Sequence, residues 1–230
     1  MKRLEQELNN LQKSLQKVLT SSIRAIQGST EILKSSISTQ DSRQADEFVD
    51  LIHANALKAD TALQAAESYR KLARTEPEPQ WIQLDEIVSD VVKRLAPGAL
   101  PYLALDIPAQ CRIKADPGMA KLIITALVSN ALRHTGQRTK QLLFFRRVLE
   151  MEPHVFVLGD NGCGVPQDTV PTLFGHFVTG ELEPQETARV GMGLTVSRLL
   201  TEKHGGKIWM ESRVNDGTRV FFHFGAMPSP

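Results

Sequence analysis

The sequence predicts an α+β protein: an N-terminal helical hairpin that pairs with a second copy as a four-helix bundle, then a two-layer α/β sandwich. Three observations carry that expectation. Residues 1 to 75 contain no proline and hold apolar residues at helical spacing. "TEPEPQ", Thr75 to Gln80, then breaks the pattern with two prolines. Beyond it, strand-like and helix-like runs mix without strict alternation, which argues against a doubly wound sheet. The expected organisation is a dimerisation hairpin over 1–75, a linker over 76–80 and an α/β domain over 81–226.

In the first part, Leu4, Leu8, Leu11, Leu15 and Val18 recur at heptad spacing, and the stripe resumes at Ile23, Ile26, Thr30, Leu33 and Ile37. "SSISTQDSR" interrupts it, and a second stripe follows at Phe48, Ile52, Ala56, Ala59, Leu63 and Ala66. Two amphipathic helices in an antiparallel hairpin follow from this periodicity. A seam so narrow has little to bury it, so a homodimer is preferred over folding back onto the second domain.

In the second part, "WIQL" reads as a strand and "DEIVSDVVKRL" as a helix capped by Asp85. "PYLALDI" and "CRIKA" read as strands. "DPGMAKLIITALVSNALRHT" reads as a long helix with Asp116 as cap and Pro117 in its first turn. "QLLFFRRVLE" and "HVFVLGD" read as paired strands. "VGMGLTVSRLLTEKHGG" reads as a glycine-led helix stopped by Gly205 and Gly206. "KIWMES" and "TRVFFHF" form a final hairpin around "RVNDG".

Composition excludes several classes. The 230 residues are 41% hydrophobic, enough for one large domain or two small ones with real cores. With 27 basic and 26 acidic residues the net charge is +1, which is not the footprint of a nucleic-acid binder. Two cysteines, Cys111 and Cys163, allow one disulfide, but their scarcity and a polar N-terminus point to a reducing cytoplasm. No run approaches a membrane span.

"GDNGCGVP", Gly159 to Pro166, leaves a strand through an acid and then becomes glycine-rich. It reads as an ordinary turn. Alone, the stretch favours that turn; the other reading is a place where backbone approaches a planar ligand and a strand-end carboxylate accepts hydrogen bonds from a base. Taken with "VSNALRHT" before it and "LFGHFVTG", "VGMGLTVSRLLTEKHGGKIWMES" and "DGTRVFF" after it, the stretch resembles the ATP-binding domain of sensor histidine kinases. That family belongs to the superfamily shared with gyrase-type and Hsp90-type ATPases. The segments correspond in order to its N, G1, F and G2 boxes, over roughly residues 80 to 225. The preceding hairpin fits the family's dimerisation domain.

The resemblance implies ATP with Mg²⁺ as ligands. It implies that Asp160 accepts the adenine amino group, with Gly162 and Gly164 packing the loop on the base and Thr218 as a second adenine contact. It implies that Asn130 holds Mg²⁺ through its amide oxygen, that Arg133 reaches phosphate, and that His134 borders the nucleotide. Gly191 and Gly193 would lead a helix whose free N–H groups receive phosphate, and "ELEPQETAR", Glu181 to Arg189, would be a short lid. Each residue also has an ordinary reading: a buried helix Asn, a surface Arg, a strand Thr. Phe174 and Phe177 are expected in the core.

The chain departs from the family pattern at three places. Ala126 stands one helical turn before Asn130, where the family has a second Asn and gyrase-type relatives a catalytic Glu. Arg189 stands where the G2 box has another glycine. Matching "IRAIQGSTEIL" to the stretch after the family's phosphoacceptor His puts Lys17 at that His and Val18 at its acidic neighbour. An ammonium group is no neutral nucleophile. No His occurs before His53, which is the alternative acceptor and otherwise a partly exposed helix residue. Ser and Thr hydroxyls in "LTSSIR" are expected to be solvated or bonded back to the preceding turn. Two functions are consistent with this pattern. One is a two-component signalling kinase with an unusual or partner-supplied acceptor and a response regulator as partner. The other is a nucleotide-binding pseudokinase or adaptor. Neither involves a membrane segment in this chain.

Overall fold

A computed structural model describes residues 2–39, 42–95, 103–106, 112–134, 143–147, 155–178 and 191–225. The chain divides into two compact units, Met1–Arg74 with Gly175–Met192, and Thr75–Phe174 with Gly193–Pro230.

In the first unit, α1 (Lys2–Thr39) and α2 (Ser42–Arg74) pack along one another. A connection this short makes neighbouring helices antiparallel. Their seam buries Leu11, Ala62, Ala66, Tyr69 and Ala73, together with Ser22 and Ser29. The heptad pattern assigned this seam partly to the wrong residues. Ile23 is 52% exposed and Leu63 43%, with Leu4 and Ala56 also outward. Small side chains at the seam let the two helices approach, and several large apolar ones are left on the outside. The Ser21 hydroxyl donates to the Val18 carbonyl at 2.8 Å, the local back-bonding expected of that cluster. His176 meets the Tyr69 ring edge-on at 5.1 Å. Gly191 has a φ of 62°, and a Cβ there would lie 2.1 Å from the Val178 carbonyl oxygen, so the close backbone approach needs glycine.

The second unit begins with β1 (Gln80–Gln83), whose first residue lies in the expected linker. β1 pairs antiparallel with β3 (Arg112–Ala115). A five-stranded sheet runs in the order β2 (Leu103–Asp106), β4 (Leu143–Arg147), β5 (Phe156–Asp160), β7 (Gly217–His223), β6 (Lys207–Arg213). β2 and β4 are parallel and the other pairs antiparallel.

α3 (Leu84–Leu95), α4 (Pro117–His134) and α5 (Gly193–Lys203) supply the helical layer. α3 starts one residue before the expected cap, so Asp85 lies within its first turn. The core joins Val88, Val91 and Val92 of α3, Ile123, Ile124, Leu127 and Val128 of α4, and Leu200 of α5 to Phe156, Leu158, Val220 and Phe222 of the sheet. Each such fully buried side chain contributes about 1.5–3 kcal/mol.

Asp116 does cap α4: its Oδ1 accepts from the Met119 N–H at 2.9 Å. Its Oδ2 accepts from the Glu78 N–H at 2.9 Å, which ties the segment before β1 to the α4 start. The Asp116 N–H donates to His204 Nε2 at 3.0 Å, and His204 Nδ1 lies 2.7 Å from the Leu200 carbonyl. The two contacts together fix one imidazole tautomer, with the proton on Nδ1. α5 ends at Lys203, and Gly205, with a φ of 72°, turns the chain away just beyond it, as the glycine pair predicts.

Candidate functional site

The end of β5, the α4 face carrying Asn130 and the β6–β7 hairpin enclose a cavity of about 70 Å³. Leu127, Ala131, Leu158, Leu173, Met210 and Val220 give it apolar walls. Its polar side chains are Asn130, Asp160 and Thr218. Gly164 and Val165 bring in the backbone of the glycine loop.

Asp160 is the last residue of the central strand and is 9% exposed. Burial pushes its carboxyl up to about 6, against backbone hydrogen bonds from Gly162 and Thr218 that favour the charged form. The Gly162 N–H donates to Oδ1 at 2.8 Å, so this glycine closes the turn after the strand. Gly164, with a φ of 64°, passes so close to Arg213 that a Cβ would lie 2.0 Å from its carbonyl oxygen.

Thr218 stands opposite Asp160 in the ladder. Its Oγ1 lies 2.9 Å from Ser212 Oγ. Ser212 Oγ also accepts from the Val165 N–H at 2.9 Å and donates to the Gly217 carbonyl at 3.0 Å. A serine hydroxyl has one proton. With that proton on Gly217, the Thr218 hydroxyl donates to Ser212 and keeps its lone pairs for the cavity. The buried end of the pocket is therefore an acceptor surface, made by a carboxylate and a threonine oxygen, facing whatever hydrogen-bond donors a ligand carries.

At the mouth, α5 starts against the α4 turn that holds Ala126 and Asn130. A Cβ on Gly193 would lie 3.6 Å from Ala126 Cβ and 4.0 Å from Asn130 Oδ1. The N-terminus of α5 is thus beside the Asn130 amide, a combination suited to anionic oxygens. Ala126 brings only a methyl group to this turn.

Arg133 is turned back along its own helix, with Nη2 2.7 Å from Ser129 Oγ and Nε 3.2 Å from the Ser129 carbonyl. Gly191 falls in the other unit. The His134 side chain and the segment Glu181–Arg189 lie outside the described residues, as does Cys111. Cys163 is a free, exposed thiol. Phe174 and Phe177, expected in the core, are half-buried. Lys17 and His53 are exposed on α1 and α2.

Sequence reasoning missed Ser212 and Gly217. Alternation along β6 places Ser212 on the same face as Met210, and the Asp-Gly turn marks Gly217. Neither signal says that a Cβ on Gly217 would sit 2.0 Å from the Asp160 carbonyl oxygen.

Among the described residues no three His, Cys, Asp or Glu side chains gather as a metal centre. One amide oxygen at Asn130, beside a helix N-terminus, is a donor set that fits Mg²⁺ shared with phosphates and water, and no dedicated protein cage.

Residues 115–227 match the family described as histidine kinase-, DNA gyrase B-, and HSP90-like ATPase. The methanogenesis regulatory histidine kinase FilI of Methanothrix harundinacea is 28% identical over 92% of this chain, which spans 24% of that relative. The catalytic domain of histidine kinase ThkA superposes on 66% of this chain and 99% of its own, with a TM-score of 0.54 at 24% identity. Full-length ShkA in complex with AMPPNP matches 94% of this chain and 47% of its own, with a TM-score of 0.59 at 18% identity. Among the described residues no helix is long and apolar enough to cross a membrane.

Proposed function

This chain carries a sensor histidine kinase catalytic core, and we propose that it is a dimeric, ATP-binding two-component signalling protein that lacks ordinary histidine autokinase activity. The hairpin over 1–75 serves as the dimerisation element, 76–80 as the connection and 81–226 as the ATP-binding domain. The observation that carries the reading is the acceptor surface of Asp160 and Thr218 at the buried end of a cleft whose mouth holds Asn130 and the α5 N-terminus.

An adenine amino group donates, and Asp160 receives it. Thr218 offers a second acceptor at the same edge. Gly162 and Gly164 shape the loop against the base. Asn130 and the backbone at Gly193 face the phosphates. Mg²⁺ bound with Asn130 would offset the phosphate charge. Arg133 and His134 serve at the rim, and Gly191 serves by turning the chain just before α5.

The acceptor for phosphate is the unusual part. Lys17 stands at the family's acceptor position, and Val18 lacks the carboxylate that would take an imidazole proton. Ala126 offers nothing to orient water beside Asn130, so hydrolysis is slow. Phosphotransfer then needs an acceptor on a partner or at another residue, with His53 the histidine available on the hairpin. A response regulator is the partner class this reading implies. The exposed position of Lys17 and the bare Ala126 also favour a second reading, a pseudokinase whose nucleotide state controls a partner.

Calorimetric titration with Mg-ATP and ADP tests the site. Binding that Asp160→Asn weakens supports it, and no binding by the unsubstituted chain removes it. Incubation with labelled ATP separates the two functional readings. An acid-labile label that His53→Ala abolishes makes His53 the acceptor. Label that appears only after Lys17→His with Val18→Glu supports a degenerate kinase with a working pocket.

A further inference from the structure

The β1–β3 ribbon carries a second recess, of about 600 Å³, bounded in part by Trp81, Gln83, Glu86, Ile87, Arg112 and Pro117. That volume lies in the ~300–1,000 Å³ range of ligand-sized sites, and the recess shares no lining residue with the nucleotide cleft. Trp81 is 52% exposed, and the Arg112 guanidinium carbon stands 5.8 Å from its ring centre. Tryptophan and arginine are among the residue types enriched at the energetic centres of protein interfaces, and here the two stand together.

The strand register adds a charge pattern. Trp81 lies opposite Lys114 and Gln83 opposite Arg112. Arg112 and Lys114 are both exposed, and alternation puts them on one face, about 6.8 Å apart. Among the described residues neither forms an ion pair. The acid in the recess, Glu86, is already engaged by the Gln83 amide.

We propose that this face docks an extended acidic segment of a partner protein. Side chains two apart in an extended chain share a face and repeat at the same distance as those of β3. Two carboxylates spaced i, i+2 therefore meet Arg112 and Lys114 together. An apolar side chain two residues before the first of them enters the recess between Trp81 and Ile87. A nucleic-acid backbone fits less well, because two cations on a chain of net charge +1 make no phosphate track. This docking does not depend on nucleotide binding.

The chain has two tryptophans, so Trp209→Phe leaves Trp81 as the sole reporter. The probe is the synthetic peptide Gly-Leu-Ser-Glu-Ser-Glu-Gly, titrated against Trp81 fluorescence, with the Trp81 indole N–H resonance of the unsubstituted chain as a parallel readout. The expected result is a saturable change that Arg112→Gln with Lys114→Gln weakens by about tenfold or more. Moving the two glutamates next to each other weakens it as well, and Mg-ATP affinity stays unchanged throughout. No saturable change, an equal response to the peptide with adjacent glutamates, or equal binding of a DNA oligonucleotide of matching charge overturns the proposal.

Discussion

Asp160 and Thr218 face each other across the β5–β7 ladder, and both turn hydrogen-bond acceptors into the same cavity. Burial raises the Asp160 carboxyl from 3.8 to about 6. Below that value it becomes a hydroxyl and stops acting as a pure acceptor. Mg-ATP affinity is therefore expected to fall as pH drops through about 6, and binding near pH 6 should release a proton. Calorimetry in buffers of different ionisation enthalpy measures both. Asp160→Asn is expected to cost about 1.5–3 kcal/mol of binding and to remove this pH dependence.

The same group sets a stability difference of opposite sense. A raised folded-state value means that the folded chain holds the proton more tightly than the unfolded one. Its contribution is lost as pH rises from about 4 to about 6, and a shift of this size corresponds to about 3 kcal/mol. Relative to Asp160→Asn, the unliganded protein should lose stability over that interval and stay level above it. Urea denaturation across the pH series checks this.

Ser212 organises three groups at the cavity wall. Ser212→Ala strands the Val165 N–H and releases the Thr218 hydroxyl. The expected cost is about 1–3 kcal/mol of stability, together with weaker nucleotide binding. Thermal unfolding and calorimetry on the same variant read the two effects.

At the α4 start, backbone donors at Glu78, Met119 and Gly118 and the nearby His204 outweigh the desolvation of Asp116, which acts the other way and is the largest single influence. The net result is a carboxyl below its ordinary value of 3.8. A depressed value gives stability that is present above the unfolded value and lost as pH falls through the folded one. Asp116→Ala should remove about 0.5–2 kcal/mol at neutral pH and flatten the acid limb of the unfolding profile, which circular dichroism follows.

The outward apolar residues of the hairpin should hold two chains together. Ile23 is more than half exposed on α1. Ile23→Glu places a charge on that face and should shift the chain from dimer to monomer while leaving the nucleotide site intact. Light scattering decides the oligomeric state, and an unsubstituted chain that is already monomeric refutes the assignment.

Local chemistry made much of this legible in the sequence. The cap at Asp116, the glycine stop at Gly205, the Asp-Gly turn of the last hairpin and the glycine loop after Asp160 each depend on a few adjacent residues. The pairing of β1 with β3 and the parallel run of β2 beside β4 depend on residues far apart, and no periodicity records them. The hairpin seam failed for another reason. A helix with one partner in its own chain and apolar residues on another face has two faces, and heptad spacing does not rank them. Ser22 and Ser29 took the inner face that the larger side chains were expected to hold. Ser212 was missed because its role exists only once β6, β7 and the glycine loop have met.

β5 is buried at all five of its positions and lies in the middle of its sheet. Its backbone amides should therefore exchange with solvent deuterium only when the whole unit opens. Asp160 is built on that slow-exchanging strand, whereas Asn130 is half-buried near the end of α4. The base of a nucleotide would meet a surface that does not rearrange to receive it, and the adjustment on binding would fall on the phosphate side. Deuterium uptake with and without ADP should then differ at the C-terminal turn of α4 and at the start of α5, with β5 unchanged.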